Sequence, residues 1–232
     1  VMKYQHLFFD LDHTIWDFET NAKESLHDLY TSHNLAAKGI ESFDHFFDHY
    51  SAHNHRLWDR YTKGFIKQEE LKWKRMWLAL LEYKIADETL SRQMSLDFLE
   101  VLPTKKGLFD GTTELLTYLQ SKGYQMHLVT NGFENVQHQK IKHAGLALYF
   151  GAVITSEASN SLKPNKEIFD YAFAKTGATA NNSIMIGDNQ DADIQGGINA
   201  GMDTIFVNHI GATPHVKATH EVFDLPSIAK LL

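Results

Sequence analysis

Cysteine is absent from the 232-residue sequence, and its absence excludes disulfides, thiolate metal sites and a cysteine nucleophile. Long apolar runs are also absent, since no stretch approaches the length of a membrane-spanning helix. The apolar run near the start is too short for a secretory signal before acidic residues interrupt it. We therefore expect a cytoplasmic protein that has no membrane partner.

Long basic runs are likewise missing, and the net charge is -7. This balance argues against a nucleic-acid polymer as partner, because such partners are bound through basic patches. A small anion is still compatible, since a local cation or metal can outweigh the global charge. The hydrophobic and charged fractions, 43% and 22%, are ordinary for a globular protein. The length suits one α/β domain that carries an insertion.

The stretch LFFDLDHT, residues 7–14, is predicted to be a buried strand that ends in two acids. Asp10 and Asp12 are two residues apart, so in extended chain their side chains leave on the same side. Two neighbouring anions repel unless a cation, a shared proton or hydrogen-bond donors compensate them. Magnesium, which prefers oxygen ligands, fits such a pair best.

A long helical block follows this strand. Four helices are predicted, near residues 19–33, 42–60, 67–83 and 87–101. The third is the clearest, because apolar residues recur at helical spacing: Trp73, Met76, Trp77, Leu80 and Leu81. We expect these helices to form a small bundle.

Strands and helices alternate in the second half of the chain. The predicted strands are 125–130, 152–155, 183–186 and 204–207, and the predicted helices are 114–122, 135–143, 166–176 and 192–200. Such alternation with short connections predicts a parallel sheet with helices on both faces. The fold class is therefore α/β, a Rossmann-like core with an inserted all-α helical-bundle cap. We expect residues 1–16 and 103–232 to form the core and 17–102 the cap.

Polar residues cluster where the predicted strands end. They are Asp10 and Asp12 after the first strand, Thr130 and Asn131 after the second, Lys163 before a helix, and Asp188 with Asp191 and Asp193 after the fourth. Each group alone is common in turns and helix caps. Because ligands of parallel sheets bind at the carboxyl ends of strands, the combination predicts a site for a phosphate beside a divalent cation.

Four segments of the chain resemble the motifs of the haloacid dehalogenase superfamily of phosphohydrolases. They are DLDHT (10–14), VTNG (129–132), LKPNKEIF (162–169) and IGDNQDADIQGGINAG (186–201). The helical insertion is similar in position to that of the subgroup with an α-helical cap. The residues of the second and fourth motifs resemble those of the branch that contains 5'-nucleotidases and sugar-phosphate phosphatases.

The resemblance implies a role for each matched residue. Asp10 would attack phosphorus to give an aspartyl-phosphate, and Asp12 would act as general acid and then as general base. Thr130 and the backbone amide of Asn131 would hold the phosphoryl oxygens, while Lys163 would compensate their charge.

A magnesium site is implied in the same way. The ligands would be the carboxylates of Asp10 and Asp188 and the backbone carbonyl of Asp12. Asp193 would orient the site as a helper.

The expected function is a magnesium-dependent phosphomonoester hydrolase that acts on a small phosphate ester, above all a nucleoside 5'-monophosphate. A sugar-phosphate phosphatase or a β-phosphoglucomutase-like mutase are alternatives, because both also keep the two aspartates. A non-catalytic phospho-acceptor module is a more remote alternative, which a phosphate-release assay would separate from an enzyme. A monomer or a small homo-oligomer is expected.

Aromatic residues near the predicted cap hinges and in the bend at 61–65 are candidate contacts for a base or sugar. They are Trp16, Phe18, Trp58, Tyr61 and Phe65. Packing inside the cap is the alternative role, and for Trp58 it is favoured. Gly64 would let this bend move toward the core.

Overall fold

A computed structural model describes residues 2–232 and divides them into two compact units. The first, the α/β unit, combines the chain up to Phe18 with Lys106–Leu232. The second, the helical unit, is Glu19–Lys105.

The α/β unit is built on a six-stranded sheet in which every neighbouring pair is parallel. The strands are β1 (His6–Phe9), β2 (Gln125–Thr130), β3 (Phe150–Thr155), β4 (Ser183–Gly187), β5 (Asp203–Val207) and β6 (His220–Val222). Their order across the sheet is β3-β2-β1-β4-β5-β6. The predicted parallel sheet is confirmed. The edge strand β6 was not predicted, because three residues reading HEV carry no apolar run.

Strands β1 and β4 lie side by side in the middle of the sheet, and all their residues are buried. A central parallel strand is covered on both faces, so it lacks the alternation of a half-exposed strand. This explains why the apolar runs at the start of the chain and at residues 183–186 were sufficient to predict both strands.

Five α-helices connect the strands of the α/β unit: α5 (Thr112–Ser121), α6 (Glu134–His143), α7 (Ser156–Ser159), α8 (Lys166–Thr176) and α9 (Gln195–Asn199). The predicted helix at 192–200 begins earlier and in another form, as a π-helical turn over Gln190–Ile194. Asn189 starts this turn, because its side chain accepts hydrogen bonds from the amides of Asp191 and Ala192. The four-residue helix α7 was too short to be predicted.

The four predicted helices of the helical unit are α1 (Phe18–Ser32), whose first residue still belongs to the α/β unit, α2 (Phe43–Thr62), α3 (Gln68–Leu81) and α4 (Glu88–Val101). Ser42 and Asp87 are N-caps of α2 and α4, since their side chains accept hydrogen bonds from amides three residues ahead. Within residues 2–232 no helix has the combined length and apolar character that crossing a bilayer requires.

The buried face of α3 differs from the predicted one. It consists of Leu71, Arg75, Met76, Ala79 and Leu80, whereas Trp73 and Trp77 are half-buried. Arg75 occupies the core because its guanidinium lies 5.0 Å from the centre of the Phe98 ring and donates to Asn54 Oδ1 at 3.2 Å. The spacing of the apolar residues did not reveal that a charged residue belongs to the buried face of α3.

Two buried histidines meet on adjacent strands of the α/β unit. His6 Nδ1 of β1 lies 3.1 Å from His127 Nε2 of β2, and the two rings stack with centroids 5.4 Å apart. Burial lowers the pKa of His6. Burial, reinforced by the neighbouring His6, lowers the pKa of His127 to about 4. Both rings are therefore held in the neutral form.

Acid should destabilise the protein through this pair. Between the lowered pKa of His127 and its ordinary value the unfolded chain binds more protons, so stability falls as the pH falls. The free energy of unfolding of the wild-type protein should decrease between about pH 7 and about pH 4.5. We expect this decrease to be about 1–3 kcal/mol smaller in His127→Gln. Denaturant unfolding at both pH values measures this decrease. The exposed His138 is the control, and an unchanged pH dependence in His127→Gln would contradict the assignment.

Candidate active site

The candidate site lies at the carboxyl ends of three neighbouring strands of the α/β unit. Asp10 directly follows β1, Thr130 is the last residue of β2, and Asp188 directly follows β4. Because parallel strands end at one edge, the sheet brings these residues together. Lys163 reaches the same place from the connection between α7 and α8.

Lys163 is the centre of the site. Its ammonium donates to Asp10 Oδ1 at 2.8 Å, Asp193 Oδ1 at 2.7 Å and the Val129 carbonyl at 2.7 Å. The residue is only 2% exposed. Burial opposes its charge, but the charges of Asp10 and Asp193 outweigh burial and raise the pKa of Lys163. A permanent buried cation therefore links two carboxylates.

Asn131 holds the backbone of Lys163 through both ends of its side-chain amide. Asn131 Oδ1 accepts from the Lys163 amide at 2.7 Å, and Asn131 Nδ2 donates to the Lys163 carbonyl at 3.0 Å. This pair of hydrogen bonds fixes the loop from which the lysine side chain reaches the site. The side chain of Asn131 thus has a supporting contact that the sequence motif did not reveal.

Three carboxylates offer oxygen atoms within 4.8 Å of one another, those of Asp10, Asp188 and Asp193. Burial and then the charge of Asp193 raise the pKa of Asp10 to about 7. Burial and then the charge of Asp10 raise the pKa of Asp188 to about 8. Burial also raises the pKa of Asp193, against the charge of Lys163. When ionised, the three carboxylates therefore carry more negative charge than the single positive charge of Lys163 can neutralise.

Hydrogen bonds orient two of these carboxylates. Thr14 Oγ1 donates to Asp188 Oδ1 at 2.9 Å and accepts from the Asp188 amide at 3.0 Å. Asp193 accepts from Lys163 at Oδ1 and from the Asn189 amide at Oδ2, at 3.0 Å. A side chain at Gly187 would collide with the carboxylate of Asp193, so glycine is required where β4 ends.

The donor set fits a hard divalent cation such as Mg²⁺. Closely spaced buried carboxylates with raised pKa values are compensated when a cation binds them. Asp10 and Asp188 fit the role of ligands best, because Asp193 already engages both oxygens with Lys163 and Asn189. The helper role of Asp193 stays a prediction.

The carboxylate of Asp12 is compensated by two side-chain donors of α6. Its Oδ1 accepts from Lys140 Nζ at 2.8 Å, and its Oδ2 accepts from Gln137 Nε2 at 2.9 Å. Gln137 Nε2 also donates to Thr130 Oγ1, at 2.7 Å. The repulsion expected between Asp10 and Asp12 is thus relieved on the Asp12 side by a lysine.

Gln137 and Lys140, which both lie on α6, were not predicted as residues of the site. Their spacing of three residues puts them on one side of the helix. The signal that could have identified them is this pair of polar residues in the helix that begins directly after the VTNG motif. Their burial, at 0% and 2% exposure, became visible only in the tertiary structure.

The aromatic residues predicted to contact substrate have different surroundings. Trp16 is fully buried in the α/β unit, so its ring is unavailable for stacking on a ligand. Phe65 in the helical unit is 69% exposed and lines a groove of about 570 Å³ together with Arg60 and Trp77. Trp58 packs edge-to-face on Tyr61, with centroids 5.6 Å apart.

The fold and the strand-end site together define the class of protein. The family model for haloacid dehalogenase-like hydrolases matches residues 4–201, and the chain belongs to this family. The HAD-hydrolase YfnB of Bacillus subtilis is 30% identical over 99% of this chain and 96% of YfnB. The pyrimidine 5'-nucleotidase PynA of Streptococcus pneumoniae is 29% identical over 100% and 96% of the two chains. The pyrimidine 5'-nucleotidase YjjG of Escherichia coli is 28% identical over 100% and 99%.

Solved structures show the same fold over the full chain. The crystal structure of YfnB bound to magnesium superposes with a TM-score of 0.90 at 28% identity and covers 100% of this chain and 99% of YfnB. A dehalogenase at 18% identity superposes with a TM-score of 0.76 and shares the fold. The predicted family and fold class are confirmed.

Proposed function

We propose that this protein is a magnesium-dependent phosphatase that hydrolyses nucleoside 5'-monophosphates through an aspartyl-phosphate. The observation that carries the proposal is the buried Lys163, which lies between Asp10 and Asp193 at the strand ends. A lysine, a threonine hydroxyl and clustered carboxylates are the groups that hold a phosphoryl group beside a cation.

The first step of the proposed reaction transfers the phosphoryl group to the enzyme. An oxygen of the Asp10 carboxylate attacks phosphorus, and the bond from phosphorus to the ester oxygen breaks. Protonated Asp12 gives its proton to the departing alkoxide, which leaves as the alcohol. Lys163, Thr130 and the amide of Asn131 hold the charge on the phosphoryl oxygens.

The second step returns the enzyme to its starting state. Water attacks phosphorus, the bond to the Asp10 oxygen breaks, and inorganic phosphate leaves. Asp12, now a carboxylate, takes the proton from the attacking water. Asp10 is again a carboxylate and Asp12 is again protonated, so protons and charge balance over the cycle.

Magnesium would be held by the carboxylates of Asp10 and Asp188 and the backbone carbonyl of Asp12, with Asp193 supporting them. When bound, the ion supplies compensation for the charge that develops on the phosphoryl oxygens. The crystal structure of YfnB is bound to magnesium, which supports the choice of this ion.

The substrate class is supported by the relatives. PynA and YjjG, both named pyrimidine 5'-nucleotidases, align with essentially all of this chain. We therefore propose pyrimidine nucleoside 5'-monophosphates as the first substrates to test. The helical unit is proposed as a specificity cap, and a cytoplasmic monomer or small homo-oligomer stays a prediction.

Phosphate release tests the proposal. UMP, CMP, AMP, sugar phosphates and p-nitrophenyl phosphate are each incubated with the protein, with Mg²⁺ or with EDTA. We expect release with Mg²⁺, fastest from UMP or CMP. Faster turnover of sugar phosphates would identify them, and not nucleotides, as the substrate class. An isomerised sugar phosphate without free phosphate would identify a mutase, and no release from any ester would refute a phosphatase.

Asp188→Asn should weaken magnesium binding. The variant loses one of the negative charges that the ion compensates, while the asparagine still fits beside Thr14. We expect the concentration of Mg²⁺ needed for half-maximal activity to rise by about 10-fold or more. The increase of melting temperature on adding Mg²⁺ should shrink in parallel. An unchanged magnesium titration would remove Asp188 from the ligands.

A further inference from the structure

Both oxygens of the Asp12 carboxylate are held by side chains of a single helix, α6. Lys140 Nζ binds Oδ1 at 2.8 Å and Gln137 Nε2 binds Oδ2 at 2.9 Å. Two donors on different oxygens leave the carboxylate little freedom to rotate. The side chain of Asp12 itself is 22% exposed, so it borders on solvent while its two partners are buried.

Lys140 is supported from a second side by aromatic rings. Its ammonium lies 4.3 Å from the ring centre of Trp16 and 5.3 Å from that of Phe18. These rings stabilise a buried ammonium through the negative face of their π systems. The lysine is thus fixed between the rings and Asp12, and it has little freedom to leave the carboxylate.

Gln137 connects Asp12 to a second residue of the site. The same Nε2 atom donates to Asp12 Oδ2 and to Thr130 Oγ1. A side chain at position 132 would collide with the amide end of Gln137, so Gly132 leaves the space that the glutamine occupies. The backbone after β2 is therefore shaped around this glutamine.

Stability alone does not account for these two buried polar residues. Burial of a lysine costs free energy that an apolar side chain of similar length would not cost. Gln137 Oε1 is buried and, among the described residues, has no hydrogen-bond partner, which is a further cost. Both costs are incurred at the one carboxylate that the proposed reaction uses for proton transfer.

We propose that Lys140 and Gln137 are positioning residues that orient Asp12 for proton transfer and link it to the phosphate-holding Thr130. This inference rests on the proposed phosphatase function. The two donors hold the Asp12 carboxylate in the orientation in which it can protonate the leaving oxygen and later accept a proton from water. Misplacement of a catalytic group by about 1 Å can cost about 100-fold in rate.

Steady-state kinetics of Lys140→Met test the proposal. Methionine keeps the length of the side chain and its contact with the rings but cannot bind Asp12. With UMP we expect kcat to fall by about 100-fold, and KM to stay within about 3-fold, because substrate binding is retained. Lys140→Arg should restore most of kcat, and Gln137→Leu should resemble Lys140→Met. The control is Lys142→Met, which changes an exposed lysine on the same helix.

A burst experiment separates positioning from loss of fold. With p-nitrophenyl phosphate the leaving group needs little protonation, so phosphorylation of Asp10 stays fast while water attack is slowed. Lys140→Met should release p-nitrophenolate in a rapid burst close to one per enzyme, followed by slow turnover. A burst reduced in proportion to the folded fraction measured by circular dichroism would indicate a structural role only and would overturn the proposal.

Two further outcomes are distinguishable from each other. If the wild-type protein releases phosphate and Lys140→Met matches its kcat, the positioning role is wrong and the proposed function stands. If the wild-type protein releases no phosphate from any ester with Mg²⁺, the proposed function fails, and the role assigned to α6 is overturned with it.

Discussion

The Asp10→Asn variant will release no measurable phosphate from any ester that the wild-type protein hydrolyses. The amide of asparagine is a poor nucleophile, and without Asp10 no covalent intermediate forms. We expect kcat to fall by about 10⁴-fold or more. The measurement is phosphate release with saturating Mg²⁺ and substrate, over times long enough to detect one turnover.

The fold should survive this change. Asp10 is buried and its pKa is raised to about 7. Above that pH its ionised carboxylate therefore destabilises the folded protein. Asparagine removes the charge and keeps the size, and Lys163 retains Asp193 as a partner. We therefore expect the melting temperature of Asp10→Asn without magnesium at about pH 8 to be no lower than that of the wild-type protein.

Asp191→Asn is the matched control, because Asp191 is an aspartate of the same region whose side chain is 80% exposed. It should keep full activity. Residual turnover in Asp10→Asn at more than about one part in a thousand of the wild-type rate would identify a different nucleophile.

Lys163→Met is expected to have the largest effect on stability. The substitution leaves Asp10 and Asp193 buried without the cation that both contact. Removing one partner of a buried ion pair typically costs about 3–5 kcal/mol. We expect a loss of this size in the free energy of unfolding at about pH 8, together with the loss of phosphatase activity. Denaturant unfolding in EDTA measures the first effect without interference from a metal.

The destabilisation should depend on pH in a defined direction. The folded-state pKa of Asp10 and that of Asp193 are already raised, and the loss of Lys163 raises both further. At lower pH both groups are protonated and no longer need a cation. We therefore expect the difference between Lys163→Met and the wild-type protein to shrink as the pH falls from about 8 to about 5.

Lys166→Met provides the control. Lys166 pairs with Asp170 one turn along α8, and its side chain is 61% exposed. Exposed pairs of this kind contribute about 0.3–0.5 kcal/mol, so the control should be close to neutral. If Lys163→Met were equally neutral at about pH 8, the central role of Lys163 in the buried cluster would be wrong.

The strands and helices of the α/β unit were predicted where a pattern of apolar residues is visible within a short stretch of sequence. Strands β1 and β4 are continuous apolar runs, and the polar residues that follow them mark the edge of the sheet. Elements without such a pattern escaped prediction. β6 is too short and polar, and the π-helical turn after Asn189 depends on side-chain hydrogen bonds that no periodicity reports.

The candidate site was predictable to the extent that its residues lie at strand ends. Asp10, Thr130 and Asp188 were predicted as site residues from their positions at strand ends, and Lys163 was predicted from its motif. The partners of these residues were not predictable, because they depend on distances between segments far apart in the chain. Lys140, for example, lies 128 residues from the Asp12 that it binds.

Most strands and helices, the family and the residues at the strand ends could be inferred from the sequence, since periodicity and motif spacing are properties of the chain. The pairing of the charges depends on the folded chain. The tertiary structure placed Lys163 between Asp10 and Asp193 and turned Asp12 toward α6. The physical reason is that a buried charge is stabilised by whatever lies within about 3–4 Å of it, and packing of the whole unit sets that neighbourhood.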